Sequence, residues 1–141
     1  MAGKTFPEIY CSKMKVDRLT VYLASTGKGA FRVGLELNRS TRPAHFFRRL
    51  FPTARLTEND RLNQHLAEAV DAALRNAPPG DTLSMDLSLT LFQWAVLEAI
   101  RTIPFGQTRT YGAVASLVGR PLAARAVGQV MGRNPLPLIY P

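Results

Sequence analysis

Residues 110–134 read TYGAVASLVGRPLAARAVGQVMGRN, and the punctuation of this stretch decides the fold of the C-terminal part of the chain. Thr110 offers an N-cap hydroxyl, Ala113, Val114, Leu117 and Val118 recur at helical spacing, and Gly119 stands where a left-handed C′ residue is wanted. Pro121 then suits the first turn of a second helix, which the pattern carries from Leu122 to Met131. Two short helices across a tight glycine turn predict a helix-turn-helix. The second is built from small residues: Ala123, Ala124, Ala126 and Gly128 let its backbone approach a neighbour closely. Either a packed core or a nucleic-acid groove would use that property. Arg125 sits among them with no acid in this region to pair with it, which favours the groove.

The charge distribution points the same way. Eighteen Lys and Arg against ten Asp and Glu give a formal charge of +8, which suits a polyanionic partner. Glu98 is the last acid, and Arg101, Arg109, Arg120, Arg125 and Arg133 follow it unopposed. The guanidinium fork matches phosphates and base edges better than an ammonium point charge, so nucleic acid is expected rather than an anionic membrane. One cysteine, Cys11, excludes an internal disulfide framework, and with His45 and His65 distant in sequence no zinc cluster is expected. No metal or other cofactor is implied. No apolar run approaches the ~20 residues a spanning helix needs, and the N-terminus lacks a signal-peptide core. The expectation is a cytoplasmic protein, nucleoid-associated if bacterial, with no membrane partner.

Working outward from the helix pair, Thr90 and Gln93 form a capping-box pattern for a helix running to about Arg101, which Ile103-Pro104-Phe105-Gly106 ends. Earlier, Leu19–Thr26 and Ala30–Leu37 read as a hairpin across Gly27-Lys28-Gly29, and residues 44–51 as a short helix stopped by Pro52. Thr57 to Asp60 offers N-cap chemistry for a helix whose stripe is Leu62, Leu66, Ala69, Val70, Ala73 and Leu74. Pro78-Pro79-Gly80 closes that helix, and residues 83–89 alternate as a short strand. The first eighteen residues show little periodicity and read as a loose arm. The division is therefore an arm (1–18), an α/β domain (19–86) and a helical domain (87–141).

Several motifs now stand in order: Phe92-Gln93-Trp94, Ile103-Pro104-Phe105-Gly106, Tyr111-Gly112, Ala124-Arg125-Ala126-Val127-Gly128, and Asn134-Pro135-Leu136-Pro137-Leu138-Ile139-Tyr140-Pro141. Together they closely resemble the O6-alkylguanine-DNA alkyltransferase family, also called methylated-DNA–protein-cysteine methyltransferases. The resemblance spans residues 90–141. It implies an α+β fold, with a small ribonuclease-H-like α/β domain before a winged-helix-like helix-turn-helix domain.

The resemblance implies binding of double-stranded DNA carrying O6-alkylguanine through the minor groove. The guanine is rotated out of the stack, and its alkyl group is taken irreversibly onto a cysteine. Arg125 would fill the vacated stack and Tyr111 would crowd the 3′ phosphate of the rotated nucleotide. Ala123, Ala124, Ala126 and Gly128 would line the groove contact, with Met131, Asn134 and Pro135 belonging to the alkylguanine pocket and active-site loop. Read without the family, these are a packing tyrosine, a solvated arginine, a core methionine and a turn asparagine. In the family the run from Asn134 leads into Cys-His-Arg, so the acceptor cysteine is expected directly after Pro141, and residues 1–141 read as the DNA-reading part without its nucleophile. The apolar run Leu136, Leu138, Ile139 and Tyr140 is then expected to be left partly uncovered. Cys11 lacks a neighbouring His–Glu relay and reads as an incidental thiol. A monomer is expected. The alternatives are a non-enzymatic sensor of alkylated DNA and a transcriptional regulator, the latter disfavoured because Ala123–Gly128 is too bare to read a major groove.

Overall fold

The structure is a computed structural model and describes residues 8–77, 83–104 and 106–140. The chain divides into two compact units, Met1–Leu87 and Ser88–Pro141. The class is mixed α+β, as expected.

The first unit contains β1 (Glu8–Val16), β2 (Leu19–Thr26), β3 (Gly29–Leu37), α1 (Pro43–Leu50), β4 (Arg55–Glu58), a 3-10 turn over Arg61–Asn63 and α2 (Gln64–Leu74). The sheet order is β3-β2-β1-β4, with β4 parallel to β1 and the other pairs antiparallel. Residues 8–16, expected as a loose arm, are thus a central strand. Ile9 and Cys11 point inward, but Ser12, Lys13 and Lys15 break up the apolar alternation a sequence reading depends on. The strand is held because both its edges are paired, to β2 from Tyr10↔Ser25 to Val16↔Leu19 and to β4 from Glu8↔Arg55 to Cys11↔Glu58. β4 itself was absent from the sequence reading: Arg55-Leu56-Thr57-Glu58 has one apolar side chain and acquires its conformation from β1.

The β2–β3 hairpin forms where predicted. One face of the sheet buries Ile9, Cys11, Tyr22, Ala24, Phe47 and Ala54 under α1, with Phe46 stacked on Tyr22 at 4.0 Å between ring centroids. Successive strand residues alternate faces, so Val21, Leu23 and Val33 lie opposite, and α2, which packs against β2, buries Leu66 and Val70. Residues 83–89 do not form the predicted strand. Met85 makes a single parallel bridge to Ala30, with Ala30 N–H donating to Ser84 O and Asp86 N–H to Ala30 O, each at 2.8 Å. The segment's pairing with β3 is confined to this bridge, and Leu83, Met85, Asp86 and Leu87 are all partly shielded. The Pro78-Pro79-Gly80 stop lies outside the described residues.

The second unit is helical among its described residues: α3 (Leu91–Arg101), α4 (Tyr111–Leu117) and α5 (Ala124–Gly132). Val96, Leu97, Ile100, Val114, Ala115, Val127, Val130, Leu136 and Tyr140 are buried. The capping box of α3 is formed in full, Gln93 N–H donating to Thr90 Oγ1 at 3.1 Å and Thr90 N–H to Gln93 Oε1 at 2.8 Å. No helix of the described residues is long and apolar enough to cross a membrane.

Candidate nucleic-acid interface

Local chemistry sets the helix pair. Thr110 Oγ1 accepts from Ala113 N–H at 3.0 Å and starts α4. At the other end Gly119 has φ +78°, Gly119 N–H donates to Ser116 O at 3.0 Å and Arg120 N–H to Ala115 O at 2.9 Å. This is a Schellman closure, which uses up the helix's last carbonyls and turns the chain sharply. Pro121 and Leu122 then lie in the turn instead of the next helix's first turn, with Ala123 N–H donating to Arg120 O at 2.9 Å. α5 therefore starts two residues later than the spacing predicted.

That start fixes where the predicted residues lie. Ala123 is the N-cap of α5, Ala124, Arg125 and Ala126 form its first turn, and the three alanines are half-buried. Arg125 projects into solvent and has no hydrogen bond or ion pair among the described residues. Tyr111 opens α4 and is 52% exposed, and the edge of its ring lies against α5 at Gly128. Met131 is half-buried near the end of α5. The structure thus brings Tyr111 and Gly128 into direct contact.

Asn134, just after α5, organises the C-terminal loop. Its Oδ1 accepts from Leu136 N–H at 3.0 Å, and its Nδ2 donates to Tyr140 O at 2.5 Å, while Tyr140 N–H donates to Leu136 O at 3.0 Å. The amide side chain spans a closed loop containing Pro135. Within the loop, Leu138 has φ +78°, a conformation costly for a branched side chain and tolerated only where neighbours enforce it. The apolar run is better covered than expected: Leu136 and Tyr140 are fully buried, and Leu138 and Ile139 partly so.

Sequence reasoning missed what holds Tyr140. Its hydroxyl donates to Glu98 Oε1 at 3.3 Å, the Arg101 guanidinium lies 5.4 Å from its ring centroid, and Trp94 meets it edge-on at 6.5 Å. Arg101 and Glu98 also pair at 3.7 Å. Burial, and next the Glu98 charge, push the phenol pKa above its ordinary value. Trp94, Glu98 and Arg101 fall at successive turns of α3, and that stripe was the available signal. Arg120 is similarly placed over Phe92, 5.7 Å from its centroid. Phe105 and Pro141 of the sequence motifs lie outside the described residues.

Cys11 belongs to the first unit. Its side chain is fully buried, and burial, with Glu58 adding repulsion, raises the thiol from 9.0 to about 11. It lines a cleft of about 480 Å³ together with Ser12, Lys13, Arg42, Glu58 and Asp60; no histidine is among these residues, and the Glu58 charge disfavours the thiolate. Among the described residues no group of three or more His, Cys, Asp or Glu side chains is placed to hold a metal.

Residues 91–141 match the family described as 6-O-methylguanine DNA methyltransferase, DNA binding domain. The inducible methylated-DNA–protein-cysteine methyltransferase of Bacillus subtilis is 32% identical over 135 residues, covering 96% of this chain and 75% of that protein. The Mycobacterium leprae methyltransferase is 45% identical over 82 residues, covering 56% of this chain and 50% of the relative. Among solved structures, Mycobacterium tuberculosis O6-methylguanine methyltransferase superposes with a TM-score of 0.68 at 27% identity, covering 94% of this chain and 75% of that one. The same mycobacterial protein in complex with DNA gives 0.67 at 28% identity, covering 94% and 74%. Identity that extends through both units, together with a backbone shared with solved members, settles the relationship: this chain belongs to the methylated-DNA–protein-cysteine methyltransferase family.

Proposed function

We propose that residues 88–141 form the DNA-reading unit of a repair protein that accepts O6-alkyl groups from guanine. The unit enters the minor groove of duplex DNA with the start of α5, rotates the alkylated nucleotide out of the stack, and fills the gap with Arg125. The observation that carries this reading is the presentation of Arg125: exposed, unpaired among the described residues and in the first turn of a helix flanked by small residues, in a segment with five arginines and no acid after Glu98. Tyr111 supplies the bulk that crowds the rotating nucleotide's 3′ phosphate, and Ala123, Ala124 and Ala126 keep the approach surface slim. Met131, Asn134 and Pro135 belong to the wall and loop of the alkylguanine site. In fold terms, the first unit is read as ribonuclease-H-like and the second as winged-helix-like.

Alkyl transfer needs a thiolate. Cys11, the one thiol in residues 1–141, is buried and kept protonated, so these residues are expected to bind and rotate without accepting the alkyl group. The loop from Asn134 to Tyr140, braced by the Asn134 amide, is read as part of the active-site loop.

The test is a duplex with one O6-methylguanine and 2-aminopurine as its neighbour. Rotation unstacks the 2-aminopurine and raises its fluorescence when the chain is added, and intact mass stays unchanged. A flat signal at saturating, folded protein contradicts nucleotide rotation. A one-methyl mass gain contradicts the assignment of Cys11.

A further inference from the structure

Gly128 sits in the interior of α5, where glycine is a poorer helix former than alanine. Its backbone does not adopt the positive φ that would demand glycine. The space tells why it is there. A methyl group on Gly128 would lie 3.0 Å from Cε2 and 3.2 Å from Cδ2 of Tyr111, closer than carbon atoms ordinarily pack. The missing side chain is replaced by the edge of the Tyr111 ring, which crosses from the start of α4 onto the backbone of α5. Arg125 precedes Gly128 by three residues on the same helix, so the helix that carries the arginine also seats the tyrosine.

We infer that Gly128 is a positioning residue for Tyr111: by lacking a side chain it lets the ring rest on α5, and it fixes the phenol relative to Arg125. This rests on the nucleotide-rotation reading above and assigns Gly128 a role within the protein rather than at the DNA. A methyl group there forces the ring outward by a few tenths of an ångström. The ring can yield because it is half-exposed, so Gly128→Ala stays folded while Tyr111 moves off its place.

The experiment is a double-mutant cycle on the whole chain with Gly128→Ala, Tyr111→Ala and both together, using the duplex with O6-methylguanine beside 2-aminopurine. Circular dichroism establishes that each variant is folded. Gly128→Ala is expected to lower the fluorescence rise at saturation several-fold, to leave duplex affinity within about twofold, and to have no further effect once Tyr111 is alanine. Loss of affinity of equal size in both backgrounds overturns the proposal, because it places Gly128 against DNA; so does an unchanged fluorescence rise. The contact has its own readout in the free chain: the Gly128 Hα resonances are shifted by the Tyr111 ring and return to ordinary positions in Tyr111→Ala. Absence of that shift overturns the seating itself, whereas a shifted resonance with no fluorescence rise in the parent chain overturns the rotation reading and, with it, the proposed role.

Discussion

Arg125 stands exposed in the first turn of α5 with no partner among the described residues, so its removal tests binding without disturbing the fold. Arg125→Ala is expected to weaken lesion-duplex binding by about 1.5–3 kcal/mol, the range for a charged hydrogen-bonding group, as read by fluorescence anisotropy. Its thermal midpoint should match the parent's, since unpaired surface side chains contribute little to stability. Asn134 is the converse. Both ends of its amide are engaged within the loop, so Asn134→Ala is expected to lose about 1–3 kcal/mol in denaturant unfolding by leaving backbone groups unsatisfied. Cys11 gives a pH signature. Below its unfolded pKa near 9.0 the thiol is protonated in both states; from there up to about 11 only the unfolded chain releases the proton. Stability therefore falls as pH rises through that window, and Cys11→Ala should remove this part of the slope. A native thiol that reacts rapidly with a disulfide reagent at pH 8 would contradict the buried, protonated state.

Whether an element was legible in the sequence depended on where its determinants lie. The starts of α3 and α4 at the caps Thr90 and Thr110 and the closure of α4 by Gly119 were legible, because caps and left-handed residues act within a few positions of themselves. Thr110→Ala is expected to cost about 0.5–2 kcal/mol and Gly119→Ala about 1–2 kcal/mol, measured by urea denaturation. β1 and β4 were not legible, since Lys13, Lys15 and Thr57 obscure their alternation and each strand is held by a partner distant in sequence. The start of α5 was misplaced because Pro121 suits either a first helical turn or the tight turn that the closure of α4 imposes. At the candidate site, the residue types Tyr111, Arg125 and Asn134 could be picked out from their order. The contact of Tyr111 with Gly128 and the clasp of Trp94, Glu98 and Arg101 around Tyr140 are tertiary, and only packing shows them.

For the molecule as a whole, charge is the property that most limits what it binds. The formal charge is +8, and the segment after Glu98 carries five arginines and no acid. Each phosphate neutralised on duplex DNA contributes a slope of about −0.9 in log K against log salt, so with Arg125 assigned to the vacated stack the other four arginines of this segment supply a slope of at most about −3.6. The first unit contributes a sheet core and a buried thiol that burial keeps protonated; the groups proposed to read DNA are those of the second unit. The most direct test is the dissociation constant of the folded 141-residue chain for an O6-methylguanine duplex at 50 and at 200 mM salt. With two to four phosphates contacted, the account predicts weakening by about tenfold to about 150-fold between the two conditions. An affinity that does not change with salt, or no binding by folded protein at the lower salt, would contradict it.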